Sequence, residues 1–191
     1  MQSFTVSTVI SAPREEVFEF VGDLAYRVSF ADHYMKDFRL ERTRSTGQGA
    51  AARFRTDAPF AGGWVELRVV ESDAPRRIVE RGDTGRLGRT EVAAVYEFLA
   101  EGQGVTRVEL TVWTEPGTRL DSLKESLGAR RWLKRQSKVA LERLRMVFEE
   151  RPEGPLARVT VAGYESWKAP RYGSPRPRTR GAQAIGHAPP G

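Results

Sequence analysis

The chain contains no cysteine among its 191 residues, which excludes disulfides, thiolate metal sites and thiol nucleophiles. Histidine is almost as scarce, since only His33 and His187 occur, and the carboxylates show no paired spacing typical of metal ligands. No run reaches the ~18 apolar residues that a membrane span needs. The N-terminus also lacks the basic-then-apolar pattern of a signal peptide. We therefore expect a cytoplasmic protein that holds no metal and no other cofactor.

Apolar residues are sparse as well, at 39% of the chain, and the shortfall lies at the C-terminal end. Residues 151–191 hold seven of the eleven prolines and six glycines, without a long apolar run. They carry a net charge of +5, whereas residues 1–150, with 24 Lys and Arg against 23 Asp and Glu, carry +1. This composition predicts one domain over residues 1–150 and a disordered, basic tail over residues 151–191.

The high positive charge of the chain is therefore a property of the tail, and it gives no support to nucleic-acid binding by the folded domain. Within the tail, the segment Arg171–Arg180 includes Tyr172 among its charges. This segment could contact phosphates or another anionic surface. A solvated extension that keeps the protein soluble is the simpler interpretation.

The first 24 residues predict a strand that leads directly into a helix. Successive side chains of a strand alternate, which places four on one face: Phe4, Val6, Thr8 and Ile10. Ser11 can cap the helix that follows, and Pro13 lies at or near its first position. Apolar residues then recur at helical spacing and form a buried stripe: Val17, Phe18, Phe20, Val21 and Leu24.

The remainder of the domain reads as a second short helix, a run of strands and one long helix. The short helix covers residues 25–31, and the strands cover Phe38–Arg44, Ala51–Thr56, Trp64–Glu71, Arg77–Arg81, Thr90–Ala100 and Val105–Thr114. Such an uninterrupted run indicates an antiparallel sheet. The long helix extends from about Leu120 to Glu150 and ends before Pro152. Glycines 82, 85 and 88 lie between two of the strands and open no helix, so they do not indicate a nucleotide-binding loop.

Two groups of residues accompany this order of elements: Ala12, Pro13, Glu16, Val17 and Phe18 at the first helical turn, and Asp23, Leu24, Tyr26 and Phe30 after it. Together they resemble the START-like (SRPBCC) superfamily over about residues 3–149. The resemblance implies an α+β helix-grip fold, in which a curved antiparallel sheet of about seven strands wraps around a long C-terminal helix. It also implies two short helices after strand 1 and a hydrophobic cavity between the sheet and the long helix. Members include polyketide cyclases, lipid and quinone carriers and pollen-allergen-like proteins, so the fold does not settle the function.

Alternation along the strands predicts which side chains face this cavity. Charged residues should point outward, and their neighbours should point toward the long helix. The predicted lining consists of Phe54, Leu67, Ala94, Tyr96, Phe98, Leu110, Val112, Gln136 and Ala140.

Three residues are candidates for proton transfer in such a cavity. His33 has a side chain suited to acid–base work near neutral pH, although an exposed loop histidine is the alternative. Glu80 faces inward if Ile78 does, and a buried carboxylate must be paired or have a raised pKa. The alternative is that Glu80 is solvated near the strand end or pairs with a neighbouring arginine. Tyr96 could donate a hydrogen bond to a carbonyl, or it could simply be a core tyrosine.

These features favour the binding or transport of a hydrophobic or aromatic small molecule that is lipid-, quinone- or polyketide-like. An aromatase/cyclase-like enzyme acting on a polyketide-type substrate is the second interpretation. Holding a reactive chain in one shape can by itself lower a barrier, so such an enzyme needs no sharp motif. The third interpretation is an adaptor that acts through the basic tail.

Overall fold

The computed structural model describes residues 2–59, 62–84, 90–115, 128–150, 156 and 158–163. The strands are β1 (Gln2–Ile10), β2 (Lys36–Leu40), β3 (Ala51–Thr56), β4 (Gly63–Asp73), β5 (Arg77–Thr84), β6 (Thr90–Gly102) and β7 (Val105–Glu115). The helices are α1 (Arg14–Gly22), α2 (Val28–Ala31) and α3 (Arg130–Glu149), and a 3-10 turn (Leu24–Tyr26) lies between α1 and α2. None of the helices in these ranges is long and apolar enough to cross a membrane.

The strands form one antiparallel sheet in the order β1-β7-β6-β5-β4-β3-β2. Strands β2 to β7 pair with their neighbours in sequence, and β1 adds to the free edge of β7. The register brings apolar residues together on one face, since Phe4 lies opposite Val112 and Val6 opposite Leu110. The predicted α+β architecture, with two short helices after β1 and a long helix at the C-terminal end, is confirmed.

The predicted limits of the elements hold to within a few residues, with one larger difference at β2. This strand was expected over Phe38–Arg44 but ends at Leu40. Asp37 has a positive φ of 52°, and the pairing of β2 with β3 shifts register between Lys36 and Arg39. Pro13 occupies the N-cap position of α1, which has no side-chain capping hydrogen bond, so the expected capping role of Ser11 is not seen. The predicted start of the long helix at Leu120 lies outside the described residues.

The core fills the space between the inner face of the sheet and the three helices. Helix α1 contributes Val17 and Val21, and α3 contributes Leu141 and Leu144, all of them buried. Phe18 of α1 meets Phe98 of β6 edge-on, with 5.4 Å between the ring centroids. Burial of each such side chain contributes roughly 1.5–3 kcal/mol to folding, so this layer holds the helices against the sheet.

Part of the predicted tail packs onto the domain. We call residues 158–163 the C-terminal strap. Val159 is buried in the core, and its backbone N–H donates to the Ala25 carbonyl at 2.9 Å. The backbone N–H of Leu40 donates to the carbonyl of Thr160 at 3.1 Å. The expectation of disorder therefore does not hold for the strap, because burial of Val159 and these two hydrogen bonds hold it on the domain.

The packed part of the chain thus continues past the boundary predicted at residue 150. Residues 164–191 lie outside the described part. The contact expected between Arg171–Arg180 and an anionic surface therefore stays a prediction.

Candidate functional site

Arg27 lies between the 3-10 turn and α2, and its side chain is completely buried. Its guanidinium extends from the helical layer to the inner face of the sheet. There Nη1 donates to Glu80 Oε2 at 3.2 Å and to Tyr96 Oη at 2.9 Å. Nη2 donates to Glu80 Oε1 and, at 3.4 Å, to the carbonyl of Val21. Arg27 therefore joins α1, β5 and β6 through one charged group.

Strand alternation explains how Glu80 and Tyr96 come to face Arg27. Ile78 and Glu80 share the inner face of β5, and Tyr96 of β6 lies opposite Ile78 in the register. Glu80 is 2% exposed and Tyr96 is 3% exposed, so both side chains point inward as the sequence predicted. The buried Glu80 carboxylate is paired rather than solvated. Its partner is Arg27, 53 positions away in sequence, and not a neighbouring arginine.

We call Arg27, Glu80 and Tyr96 the Arg27 cluster. Burial alone would lower the pKa of Arg27, but the charge and hydrogen bonds of Glu80 outweigh it and raise that pKa. Burial raises the pKa of the Tyr96 hydroxyl, although the charge of Arg27 acts in the opposite direction. Tyr96 therefore keeps its proton, and Arg27 already donates to its oxygen. The Tyr96 hydroxyl can therefore still donate its own hydrogen to one acceptor.

Several polar groups beside the cluster have unused hydrogen-bonding capacity. Arg27 Nε and Ser29 Oγ are buried and have no hydrogen-bond partner in the part of the chain that the structure describes. Tyr34, whose hydroxyl pKa is also raised by burial, makes no hydrogen bond within the described residues. Buried polar groups are nearly always paired, so Arg27 Nε and Ser29 Oγ, which lie two residues apart in sequence, call for partners from outside the described residues. A bound molecule with oxygen acceptors would supply the missing partners.

Accessible apolar surface borders the Arg27 cluster on both layers of the fold. Ala94 lies opposite Glu80 in the register, and Ala94 and Val92 on the inner face of β6 are only half-buried. On the helical layer, Trp132 of α3 is half-buried and meets the Tyr34 ring edge-on at 6.3 Å. A buried polar centre next to accessible apolar side chains is the usual composition of a small-molecule site.

The residues predicted to line a cavity are mostly buried on the inner side. Ala94 and Gln136 are half-buried. The other seven are buried: Phe54, Leu67, Tyr96, Phe98, Leu110, Val112 and Ala140. Phe54 stacks on Phe38 at 5.8 Å and Phe98 packs on Phe18, so these two rings serve the core. Of the set, Tyr96 contacts Arg27, and Ala94 lies opposite Glu80 in the register.

A concavity of about 370 Å³ lies on the opposite, outer face of the sheet, and it is largely charged. Of the predicted cavity residues, only Leu67 borders it. Glu66, Asp83, Glu91 and Glu115 are among its lining residues. Within the described ranges, no three or more His, Cys, Asp or Glu side chains are placed to hold a metal ion.

His33, the third candidate for proton transfer, makes its hydrogen bond outside the Arg27 cluster. Its Nε2 lies 3.1 Å from the backbone carbonyl of Gln136 in α3. A carbonyl only accepts, so we assign the hydrogen to Nε2, and Nδ1 is buried without a partner. Burial, followed by the charge of Arg143, lowers the pKa of His33. His33 therefore links the end of α2 to α3, and it shares no hydrogen bond with Glu80 or Tyr96.

The model of the family described as polyketide cyclase/dehydrase and lipid transport matches residues 1–149. The chain belongs to this family. The START-like resemblance predicted from the sequence is therefore confirmed. No curated protein matches the chain.

Solved structures with the same fold include members of differing description. The protein TTHA0849 from Thermus thermophilus is 16% identical, with a TM-score of 0.62 over 80% of this chain and 100% of its own. The di-domain ARO/CYC BexL of the BE-7585A biosynthetic pathway is 22% identical, with a TM-score of 0.57 over 79% of this chain and 51% of its own. A hypothetical protein of Helicobacter pylori is 13% identical, with a TM-score of 0.61 over 78% and 88%. At these identities the likeness establishes the fold that this family member shares with them.

Sequence reasoning missed Arg27, the residue that organises the site. The signal was present, because Arg27 is the one charged residue in the short stretch Ala25–Ala31, which is otherwise nearly all apolar. A cation in such a stretch must find an anion once it is buried. Glu80, already predicted to face inward, was the available partner.

Proposed function

We propose that this family member binds a hydrophobic small molecule between the inner face of the sheet and α3, with its oxygen-bearing end at the Arg27 cluster. The observation that carries the proposal is the buried Arg27 cluster, in which Arg27 Nε has no hydrogen-bond partner within the described residues and the Tyr96 hydroxyl keeps its hydrogen for an acceptor. The half-buried Ala94 and Trp132 supply the apolar walls. Lipid-, quinone- and polyketide-like molecules all combine an apolar body with oxygen acceptors.

The charge balance of the site favours a neutral polar group over an anion. The positive charge of Arg27 is already matched by Glu80, so a carboxylate entering the site would be left without a counter-charge. A ketone or quinone carbonyl needs only hydrogen-bond donors. The hydroxyl groups of Tyr96 and Tyr34 and the Nε–H of Arg27 are such donors.

The experiment is mass spectrometry of an organic extract from gently purified protein. Ala94→Phe places a ring beside Glu80 and should abolish the co-purified compound. The matched control is Ala93→Phe, because Ala93 is also half-buried and precedes Ala94 on the same strand but faces outward. We expect a stoichiometric hydrophobic compound with the wild type and with Ala93→Phe, and none with Ala94→Phe.

Extracts that are empty for all three proteins would count against constitutive carriage. In that case, fluorescence titration with anilinonaphthalene sulfonate provides a second test. Equal affinity of the probe for Ala94→Phe and Ala93→Phe would contradict a binding site on the inner face.

A cyclase-like activity is the second candidate, and the contact between Arg27 and Tyr96 is the observation that favours it. A tyrosine hydroxyl that receives a hydrogen bond from a cation is a better donor to a substrate carbonyl. It would stabilise the negative charge that develops on that oxygen when the ketone enolises. With the extracted compound or a polyketide-type ketone as substrate, Tyr96→Phe should then lose far more turnover than affinity, because the Nε–H of Arg27 and the Tyr34 hydroxyl can still donate to the bound carbonyl. A carrier would show no turnover in the wild type.

A further inference from the structure

The C-terminal strap contacts the turn that presents Arg27. Arg158 Nη2 lies 2.9 Å from Asp23 Oδ2, and the Arg158 guanidinium lies over the Tyr26 ring at 4.8 Å from its centroid. Val159 N–H donates to the carbonyl of Ala25. Three residues of the segment just before Arg27 are therefore each held by a different contact with the strap.

Asp23 organises the same turn from within. Its Oδ1 accepts from the backbone N–H of Ala25 at 3.0 Å, and its backbone carbonyl accepts from Tyr26 at 3.0 Å. Its second carboxylate oxygen is the one that Arg158 contacts. Asp23 uses both carboxylate oxygens at once. Loss of the strap contact would therefore expose Oδ2 to water while Oδ1 still accepts from Ala25.

The strap is itself anchored and closed by local bonds. Thr160 joins it to Leu40 of β2, and the Gly163 N–H donates back to the Thr160 carbonyl at 3.0 Å. Gly163 has a φ of 93°, a conformation that favours glycine. Val159 is 2% exposed, whereas Val161, two residues later, is 52% exposed. One valine therefore enters the core, and the other remains in water.

We propose that Arg158 and Val159 are positioning residues for Arg27, so that the strap sets the geometry of the candidate site. The strap lies beyond residues 1–149, the part of the chain that matches the family model. The proposal deepens the proposed function, since it concerns the same site. It makes no assumption about the ligand, because the strap acts on Arg27 whether or not a molecule is bound.

The test compares two substitutions in the full-length chain. Val159→Asp places a charge where the strap enters the core, and Val161→Asp makes the same change at the exposed position. The readout is the solvent exchange of the Arg27 Nε–H, followed by NMR. Within the described residues this proton has no hydrogen-bond partner, so the protein itself protects it through burial. The signal is assigned from its loss in a variant that carries both Arg27→Met and Glu80→Leu.

We expect Val159→Asp to speed exchange at Arg27 by about tenfold or more, as local opening does, and Val161→Asp to change it by less than about twofold. Amide protons at the centre of the sheet, on Val95 and Leu110, should speed up less than Arg27 in Val159→Asp, because they report only the loss of global stability, and should be unchanged in Val161→Asp. Val159→Ile, which keeps the apolar contact, should retain the protection of Arg27.

Two results would overturn the proposal. One is an unchanged Arg27 exchange rate in Val159→Asp. The other is a uniform increase at Arg27, Val95 and Leu110, which would give the strap a purely global stabilising role. If Val159→Asp does not fold, Val159→Ala replaces it with the same readouts. An empty site in the extraction experiment would overturn the proposed function and leave this result unaffected.

Discussion

On the inner face of β5 the Glu80 carboxylate is buried against Arg27. Asp83 lies three positions later on the same strand and is exposed on the outer face. There it belongs to a row of four carboxylates that lie opposite one another across β4 to β7: Glu66, Asp83, Glu91 and Glu115. Within the described residues no member of this carboxylate row forms an ion pair. The acidic side chain on the inner face is thus buried and paired with a cation, whereas those on the outer face are solvent-exposed and form no ion pair within the described residues.

The difference shows how strongly water decides the energetic importance of a charge. Like charges on directly opposed strand positions destabilise a sheet by roughly 0.2–1 kcal/mol, because solvent screens them. A buried carboxylate has no such screening, and leaving one without its partner costs several kcal/mol. Four unpaired charges are therefore tolerated outside, while inside a single one requires a dedicated arginine.

The largest effect is expected where the inner pair is broken. Glu80→Leu should lower the free energy of unfolding by about 3–5 kcal/mol, because Arg27 is left as a buried, uncompensated cation. The double variant with Arg27→Met should recover most of this loss, since no buried charge remains. Denaturant unfolding followed by circular dichroism measures both changes. A double variant as unstable as Glu80→Leu would mean that the pair contributes through something other than its charges.

A smaller effect is expected at His33, which is part-buried on the inner side. It concerns the pH dependence of the free energy of unfolding. Its pKa in the folded state is lowered from the ordinary value of 6.5, so the folded protein binds fewer protons than the unfolded chain as the pH falls. The contribution of His33 is therefore fully present above about pH 7 and declines with acidification through the ordinary pKa. His33→Gln should flatten this decline between about pH 7 and pH 5.

His187→Gln is the matched control, because His187 is the other histidine of the chain. It should leave the pH dependence of the unfolding free energy as in the wild type. A slope that changes equally in both variants would contradict the assignment to His33.

The smallest effect is expected on the outer face. Glu91→Gln removes one charge from between two others, and it should raise the free energy of unfolding by a few tenths of a kcal/mol at low salt. The gain should vanish near 1 M salt, where the screening length is only about 3 Å. Glu97→Gln is the control on the same strand, because Glu97 lies opposite Arg77 on one side and Glu109 on the other. A gain from Glu91→Gln that persists in high salt would point to a cause other than repulsion.

Much of the fold was predictable because its signals are local. The limits of β3 were predicted to the residue, and those of β4 to β7 to within three, from alternation and turn residues over windows of a few positions. The early end of β2 escaped prediction because it depends on the register shift against β3 and on the backbone of Asp37. Such features arise from the pairing of two strands, so the hydrophobic pattern of either strand alone does not indicate them.

The candidate site was predictable only in part. Alternation placed Glu80 and Tyr96 on the inner face, as the structure has them. It said nothing of Arg27, because a helical turn docks onto a sheet through contacts distant in sequence. The burial of Val159 was not predicted either. Its neighbours in sequence are rich in proline, glycine and charge, which is typical of a disordered tail.

By itself, the sequence determined the order of the elements and the inner and outer faces of the strands, because hydrophobic periodicity and turn chemistry act over a few residues. The resemblance of its first 30 residues also indicated the family. Only the tertiary structure decided that Arg27 meets Glu80, that His33 bonds to Gln136 and that the strap closes over the turn at Asp23. It also decided the carboxylate row, which exists only because the registers of four strands coincide. These pairings join residues that lie far apart along the chain, and the packing of the whole domain selects them.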